Sequence, residues 1–208
     1  ASRRPPASSA AISSAFVLSV SSSAMRAFIA STVVALFLAG CDQGTAKVAR
    51  NQEKYLKRTG QKFLDDKAAE DGVYRLPSGL VIKILEKSDS DKAPNPTSRV
   101  SVHYHGTLKD GSVFDSSVER ASPATFGVNQ VISGWTEALQ LMCEGDKWEL
   151  YIPYDLAYGE RGSPPKIGPY APLVFEVEIL DILDNGKPCS EARDELLEKL
   201  EVESYDEL

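Results

Sequence analysis

The stretch GTLKDGSVFDSS, residues 106–117, sets an acidic side chain, Asp115, directly after an aromatic one, Phe114, inside an apolar run. A carboxylate in apolar surroundings is the raw material of general acid–base or metal chemistry, but the usual partners are missing. The chain has two histidines, His103 and His105, and alternation puts both on the polar side of their strand, where they are expected to be solvated. Cys41, Cys143 and Cys189 match no zinc spacing, so a metal centre is not expected. There is no G-x-S-x-G, no P-loop and no G-x-G-x-x-G. An acid beside an aromatic, with neither nucleophile nor base, points to a reaction that makes and breaks no covalent bond.

The elements that must position these residues are legible from periodicity. LVIKILE, 80–86, puts Leu80, Ile82 and Ile84 on one face, and RVSVHYHG, 99–106, does the same with Val100, Val102 and Tyr104. DKWELYIP, 146–153, aligns Trp148, Leu150 and Ile152; LVFEVEIL, 173–180, aligns Leu173, Phe175, Val177 and Ile179 opposite Glu176 and Glu178. These are half-buried antiparallel strands, one face dry and one wet. Asp110-Gly111 marks a tight hairpin into a second short strand at 112–115. Ile132, Trp135, Leu139 and Met142 share one face of a single short helix, with Ser133 as its N-cap. The fold class is therefore α+β, a curved antiparallel sheet wrapped around one short helix. Tyr104, Phe114, Trp135 and Phe175 point into the space between sheet and helix, and Tyr158 follows in the turn after the Trp148 strand. Periodicity does not say whether they fill that space or line it.

The core is expected over 73–186. Before it, 41–72 reads as a helical arm whose stripe is Val48, Tyr55, Leu56, Phe63 and Leu64, lying on the core or projecting from it. Polar Gln52 and Thr59 and the helix-weakening Gly60 argue against a self-associating coiled coil. After the core, 187–208 carries Leu196, Leu197 and Leu200 on an acidic final helix.

Residues 1–40 read as leader and signal peptide. Translation is expected to start at Met25; Arg26 precedes the uncharged apolar run 27–40, which is shorter than the ~20 residues that span a bilayer. LAGC, 38–41, resembles a lipobox, which would make Cys41 a lipid-bearing residue in a bacterial envelope; otherwise the protein is secreted. YDEL, 205–208, is one residue from a retrieval tail and reads equally as an acidic end. Both imply export. In an oxidising compartment Cys143 and Cys189 could pair, or be one buried and one exposed thiol. A net charge of −7 without a basic block argues against a nucleic-acid partner.

VHYHGTLKDGSVFDSSVER, QVISGWTEALQLM, LYIPYDLAYGERG and PLVFEVEILDI together resemble the FK506-binding-protein type of peptidyl-prolyl cis–trans isomerase, in order and spacing over about 85–186. FLDDKAAEDGVYRLPSGLVIKIL, 63–85, resembles the macrophage infectivity potentiator subclass, whose members are exported by microbes and contribute to host-cell invasion. The resemblance implies rotation about X-Pro bonds in proline-containing peptides and proteins, assistance to folding, no cofactor, and inhibition by FK506 and rapamycin. It places Tyr104, Phe114, Asp115, Arg120, Phe126, Val131, Ile132, Trp135, Tyr158, Ile167 and Phe175 around a proline pocket. Trp135 would be the floor. The Tyr158 hydroxyl and the Ile132 amide would hydrogen-bond substrate, and Asp115 would sit at the rim with Tyr104 and Arg120. Ala124 stands where relatives often have an aromatic, which would lower that wall. The Gly- and Pro-rich loop 159–170 would be a mobile flap. Bacterial members carry a long dimerisation region, whereas about thirty residues separate Cys41 from the core here, so a monomer is expected. A non-catalytic module or chaperone holding Pro-containing segments is the alternative use of the same cup.

Overall fold

The structure, a computed structural model, describes residues 22–201, with side chains from Thr45 onward. Residues 1–21, part of the expected leader, and the YDEL end lie outside the described residues, as does the Cys41 side chain. Contacts divide the chain into a unit ending at Val48 and a second unit, Ala49–Leu208. Helix α1, Ser22–Ala68, carries this boundary. In the first unit only its helical backbone and a few exposed side chains are described. Among the described residues no helix is long and apolar enough to cross a membrane.

In the second unit α1 is followed by β1 (Val73–Arg75), β2 (Val81–Glu86), β3 (Lys92–Ala93), β4 (Arg99–Leu108), β5 (Val113–Ser116) and β6 (Ala124–Gly127). Then come α2 (Ser133–Leu141), β7 (Lys147–Ile152), β8 (Leu173–Ile182), β9 (Lys187–Pro188) and α3 (Cys189–Leu200). The main sheet is antiparallel in the order β1-β2-β7-β8-β4-β5, with β6 also on β4. β3 and β9 pair separately.

The alternating strands bury the expected face. Val100, Val102, Trp148, Leu150, Ile152, Leu173, Val177 and Ile179 are all at 0% exposure and pack on Trp135, Ala138 and Leu139 of α2. Helix and strand approach closely because residue 134 is glycine: a Cβ there would stand 2.6 Å from Ile152 Cγ2. Gly111, at φ 82°, takes the left-handed turn of the β4–β5 hairpin that a side chain would resist.

Three expectations are corrected. The opposite face of β2 and β7 is not wet throughout: Val81 and Tyr151 are buried under Leu64 and Phe63 of α1, and Phe63 meets Tyr151 edge-on at 6.2 Å. The arm therefore lies on the core from its own C-terminal turns. Its buried side is Gly60 and Leu64, while Val48 and Tyr55 of the expected stripe are exposed. Ser133 is not the cap of α2. Ile132 holds that position without a side-chain bond, and its carbonyl accepts from both Trp135 and Thr136. His103 and His105 are half-buried rather than solvated, with Nδ1 at 3.1 Å from Ser117 Oγ and 3.0 Å from Ser116 Oγ.

Of the two readings of the cysteines, pairing holds. Cys143, just past α2, is bonded to Cys189, the first residue of α3, with both buried. Asp146 supports the junction: Oδ1 accepts from Ser88 N–H at 2.7 Å and Oδ2 from Cys143 N–H at 2.8 Å. Burial raises its carboxyl above the ordinary range despite those bonds.

Candidate functional site

Five elements each deliver one or two side chains to a cavity of about 420 Å³. β4 contributes Tyr104, β5 Phe114 and Asp115, β6 Phe126, α2 Trp135 and β8 Phe175. Gln130, Val131 and Ile132 enter from the turn before α2, and Tyr158 from the turn after β7. The aromatics line the space rather than fill it.

The rings brace one another. Trp135, 4% exposed, lies 5.1 Å from Phe175, 5.4 Å from Tyr104 and 5.8 Å from Phe126, each close to perpendicular. Phe114 meets Phe175 at 5.3 Å and 90°. Edge-to-face pairs of this kind are worth about 0.5–1.5 kcal/mol each beyond burial, so the walls are held without a ligand. Gly106 makes this possible, because a Cβ on it would stand 2.8 Å from both Phe114 Cζ and Phe175 Cε1. The Trp135 indole N–H, at the bottom, has no acceptor among the described residues.

The rim is ionic. Tyr104 donates its hydroxyl to Asp115 Oδ2 at 2.5 Å and accepts from Arg120 Nη2 at 2.8 Å. Arg120 Nη1 completes the ring by donating to Asp115 Oδ1. Burial alone would push the Asp115 carboxyl up. Hydrogen bonds from Tyr104 and Arg120, with the guanidinium charge, outweigh it and hold the carboxyl below its ordinary range. Tyr104 moves up, first through burial and then through its bond to the carboxylate. Phe114 is the extra residue where the β4–β5 register slips between Gly106 and Thr107, and its carbonyl accepts from Lys166 Nζ at 2.6 Å.

Of the eleven residues named from sequence, nine line the cavity. Arg120 stands outside the lining and bonds two residues of it, Asp115 and Tyr104. Ile167 is 4% exposed and packed in the main core. Ala124 pairs with Val102 on β6 and does not line the cavity either. Gln130 was missed. It lies immediately before Val131 and packs over Gly127, and nothing in the pattern distinguished it from a loop glutamine. A larger open groove, about 1000 Å³, runs between β9, α3 and residues 89–92. Its cations are already engaged: Lys92 with the Ile182 carbonyl, Lys187 with Glu195 and Arg193 with the Ser88 carbonyl. Among the described residues no group of three or more His, Cys, Asp or Glu could hold a metal ion.

Comparison with known proteins agrees with this geometry. The profile described as FKBP-type peptidyl-prolyl cis-trans isomerase matches residues 90–180. The macrophage infectivity potentiator of Trypanosoma cruzi is 51% identical over 153 residues, covering 73% of this chain and 78% of that protein. The outer membrane protein MIP of Legionella longbeachae is 46% identical over 126 residues, 61% of this chain and 54% of the relative, so the match spans about half of that protein. Among solved structures, FkpA from Escherichia coli superposes with a TM-score of 0.61 at 37% identity, over 77% of this chain and 72% of that one.

Proposed function

Since the chain belongs to the family of FKBP-type peptidyl-prolyl cis-trans isomerases, within its macrophage infectivity potentiator subclass, we propose that the aromatic cup takes the prolyl ring of an X-Pro segment and catalyses rotation about the bond before it. The observation that carries this is the conjunction of a braced, mainly aromatic cavity with a rim carboxylate that has no base to work with.

The barrier to rotation about a peptide bond is ~18–20 kcal/mol, because planarity lets the C–N bond share the carbonyl electrons. No proton need move to lower it. The site has only to fit the twisted amide better than the planar one. Twisting ends the resonance and takes partial negative charge off the carbonyl oxygen, so an apolar enclosure disfavours the planar form relative to the twisted one. Trp135 forms the floor under the prolyl ring, with Phe114, Phe126, Val131 and Phe175 as walls. The Tyr158 hydroxyl and the Ile132 amide N–H hold the substrate backbone. Asp115, fixed by Tyr104 and Arg120, is an electrostatic rim group that orients the approaching chain. Ile167 acts from behind the wall.

The cup lies within residues 73–186, and the protein works as a monomer blocked by FK506 and rapamycin. Export is supported by the pattern from Arg26 to Cys41, by the outer-membrane name of the Legionella relative and by the Cys143–Cys189 bond, which belongs to oxidising compartments. With export comes the subclass role, an isomerase presented to host proteins.

The test is exchange NMR on a short X-Pro peptide with the full chain. Acceleration abolished by FK506 is the expected result. A folded chain that binds the peptide without accelerating it would reduce the protein to a proline-binding module.

A further inference from the structure

Among the described residues none of α1 lines the cup, yet α1 grips the loop that does. The Lys57 ammonium lies 4.8 Å from the ring centroid of Tyr170 and 5.9 Å from that of Tyr154. Those rings meet edge-on at 5.3 Å. Two carboxylates hold the same ammonium: Glu53, one turn back on α1, at 2.8 Å, and Glu160, inside the loop, at 3.9 Å. One turn further along α1, Gly60 faces the end of the loop at ordinary contact distance. A Cβ there would stand 3.4 Å from Pro172 Cδ and 3.6 Å from the Tyr170 carbonyl, so helix and loop are in contact at this point.

Both tyrosines are bonded to one backbone unit beside the cup. Gly159 N–H donates to the Tyr154 carbonyl at 2.7 Å, and Tyr170 N–H donates to the Gly159 carbonyl at 3.3 Å. The residue before Gly159 is Tyr158, which lines the cavity. A continuous set of contacts therefore runs from the Lys57 ammonium through two rings to the peptide that aims Tyr158. Between those two tyrosines the same loop is held by Lys166 on the Phe114 carbonyl, so it is fastened at a second point.

We propose that Lys57 is a positioning residue of the isomerase. By holding Tyr154 and Tyr170 together it fixes Gly159, and so the direction in which Tyr158 presents its hydroxyl to substrate. This rests on the reading of the cup given above. The substrate contact of Tyr158 is made in planar and twisted forms alike, so its loosening raises KM and leaves kcat in place.

The test compares Lys57→Met, which keeps the stem and removes the charge, with Lys57→Arg, which restores a cation over the rings, in wild-type and Tyr158→Phe backgrounds. Two quantities are read on the full chain: kcat and KM for an X-Pro peptide, and amide hydrogen exchange at Gly159 and Tyr170. Lys57→Met is expected to raise KM about two- to fivefold, the size of an exposed cation–π contact, at unchanged kcat. Exchange at both amides should quicken, Lys57→Arg should restore both readings, and the KM effect should vanish in the Tyr158→Phe background. An unchanged KM, a full effect without the Tyr158 hydroxyl, or unaltered exchange at the two amides overturns the proposal. A wild-type chain that accelerates no X-Pro rotation removes the isomerase reading instead, and the exchange rates then decide the clamp by themselves.

Discussion

Tyr104 gives its hydroxyl hydrogen to Asp115 at 2.5 Å, and the effect on the two groups is opposite. The carboxyl is held below its ordinary range and the phenol is raised above its own. A general acid or base works best when it titrates near the working pH. This pair has moved away from neutrality at both ends, so at pH 7 Asp115 is an ion and Tyr104 is a phenol. The contact fixes a dipole and a charge at the mouth of the cup and leaves no proton to exchange with a substrate.

If that fixed charge orients substrate, Asp115→Leu should lower kcat/KM about five- to tenfold, the scale of one charge-assisted hydrogen bond at a partly wet rim. The fold should survive with a loss no larger than about 1 kcal/mol, since the Asp115–Arg120 pair is half exposed and screened. Peptide exchange NMR and urea unfolding read the two quantities. A fully active, folded variant would confine Asp115 to holding its loop.

The pH dependence has a definite sign. The Asp115 carboxyl is lower in the folded state, so its ionisation favours folding. That stability is complete above the ordinary carboxylate range and is lost as pH falls through the depressed folded value. Buried Asp146 runs the other way: its raised carboxyl favours the fold when protonated, and that advantage is lost as pH rises through the folded value. The difference in urea midpoint between wild type and Asp115→Asn isolates the first effect. It should be largest near about pH 7 and shrink towards about pH 3. Activity should stay flat from neutrality down to the carboxylate range.

Gly106→Ala should damage the cup more than the fold. The new methyl group meets Phe114 and Phe175 at 2.8 Å, so both rings must shift, and a turn inward narrows the cup. KM should rise about tenfold and stability fall by about 1–3 kcal/mol, the usual cost of overpacking. Unchanged KM with lowered stability would show that the walls yield outward.

Reduction of Cys143–Cys189 should separate stability from activity. The cysteines are 46 residues apart, and closing a loop of that size is worth about 2–4 kcal/mol. Neither cysteine lines the cup. Urea midpoints with and without dithiothreitol should therefore differ, while kcat/KM of the folded reduced protein should not.

The sheet was legible wherever a strand was long enough to show a period and faced water on one side. β1, β3 and β9 are too short for any period, and β6 offers Phe126 alone, half-buried between exposed Thr125 and buried Gly127. Val81 and Tyr151 broke the wet-face reading because α1 covers only that corner of the sheet, a tertiary fact with no local signal. Tyr104 and Phe175 could be seen pointing inward, but whether inward rings fill or line a space depends on Gly106 and Trp135 together. Phe126 and Val131 came from the family resemblance and from no periodic pattern. The Ser133 cap failed because the backbone turn at 128–130 delivers the chain to α2 with Ile132 already in place. The cysteine bond could not be decided before α3 was seen to begin at Cys189.

β5 and β6 lie end to end along one edge of β4, β5 against His105–Thr107 and β6 against Arg99–Val102. The chain leaves the sheet after Ser116, carries Arg120 around the outside and rejoins the same edge at Ala124. Because β4 sets the register of both halves, the exposed residues of this detour other than Arg120 can change without shifting either one. The molecule is thus modular at its rim and fixed at its floor. Descendants of this sequence can vary which neighbours of a proline they welcome while inheriting, unaltered, the means of turning it.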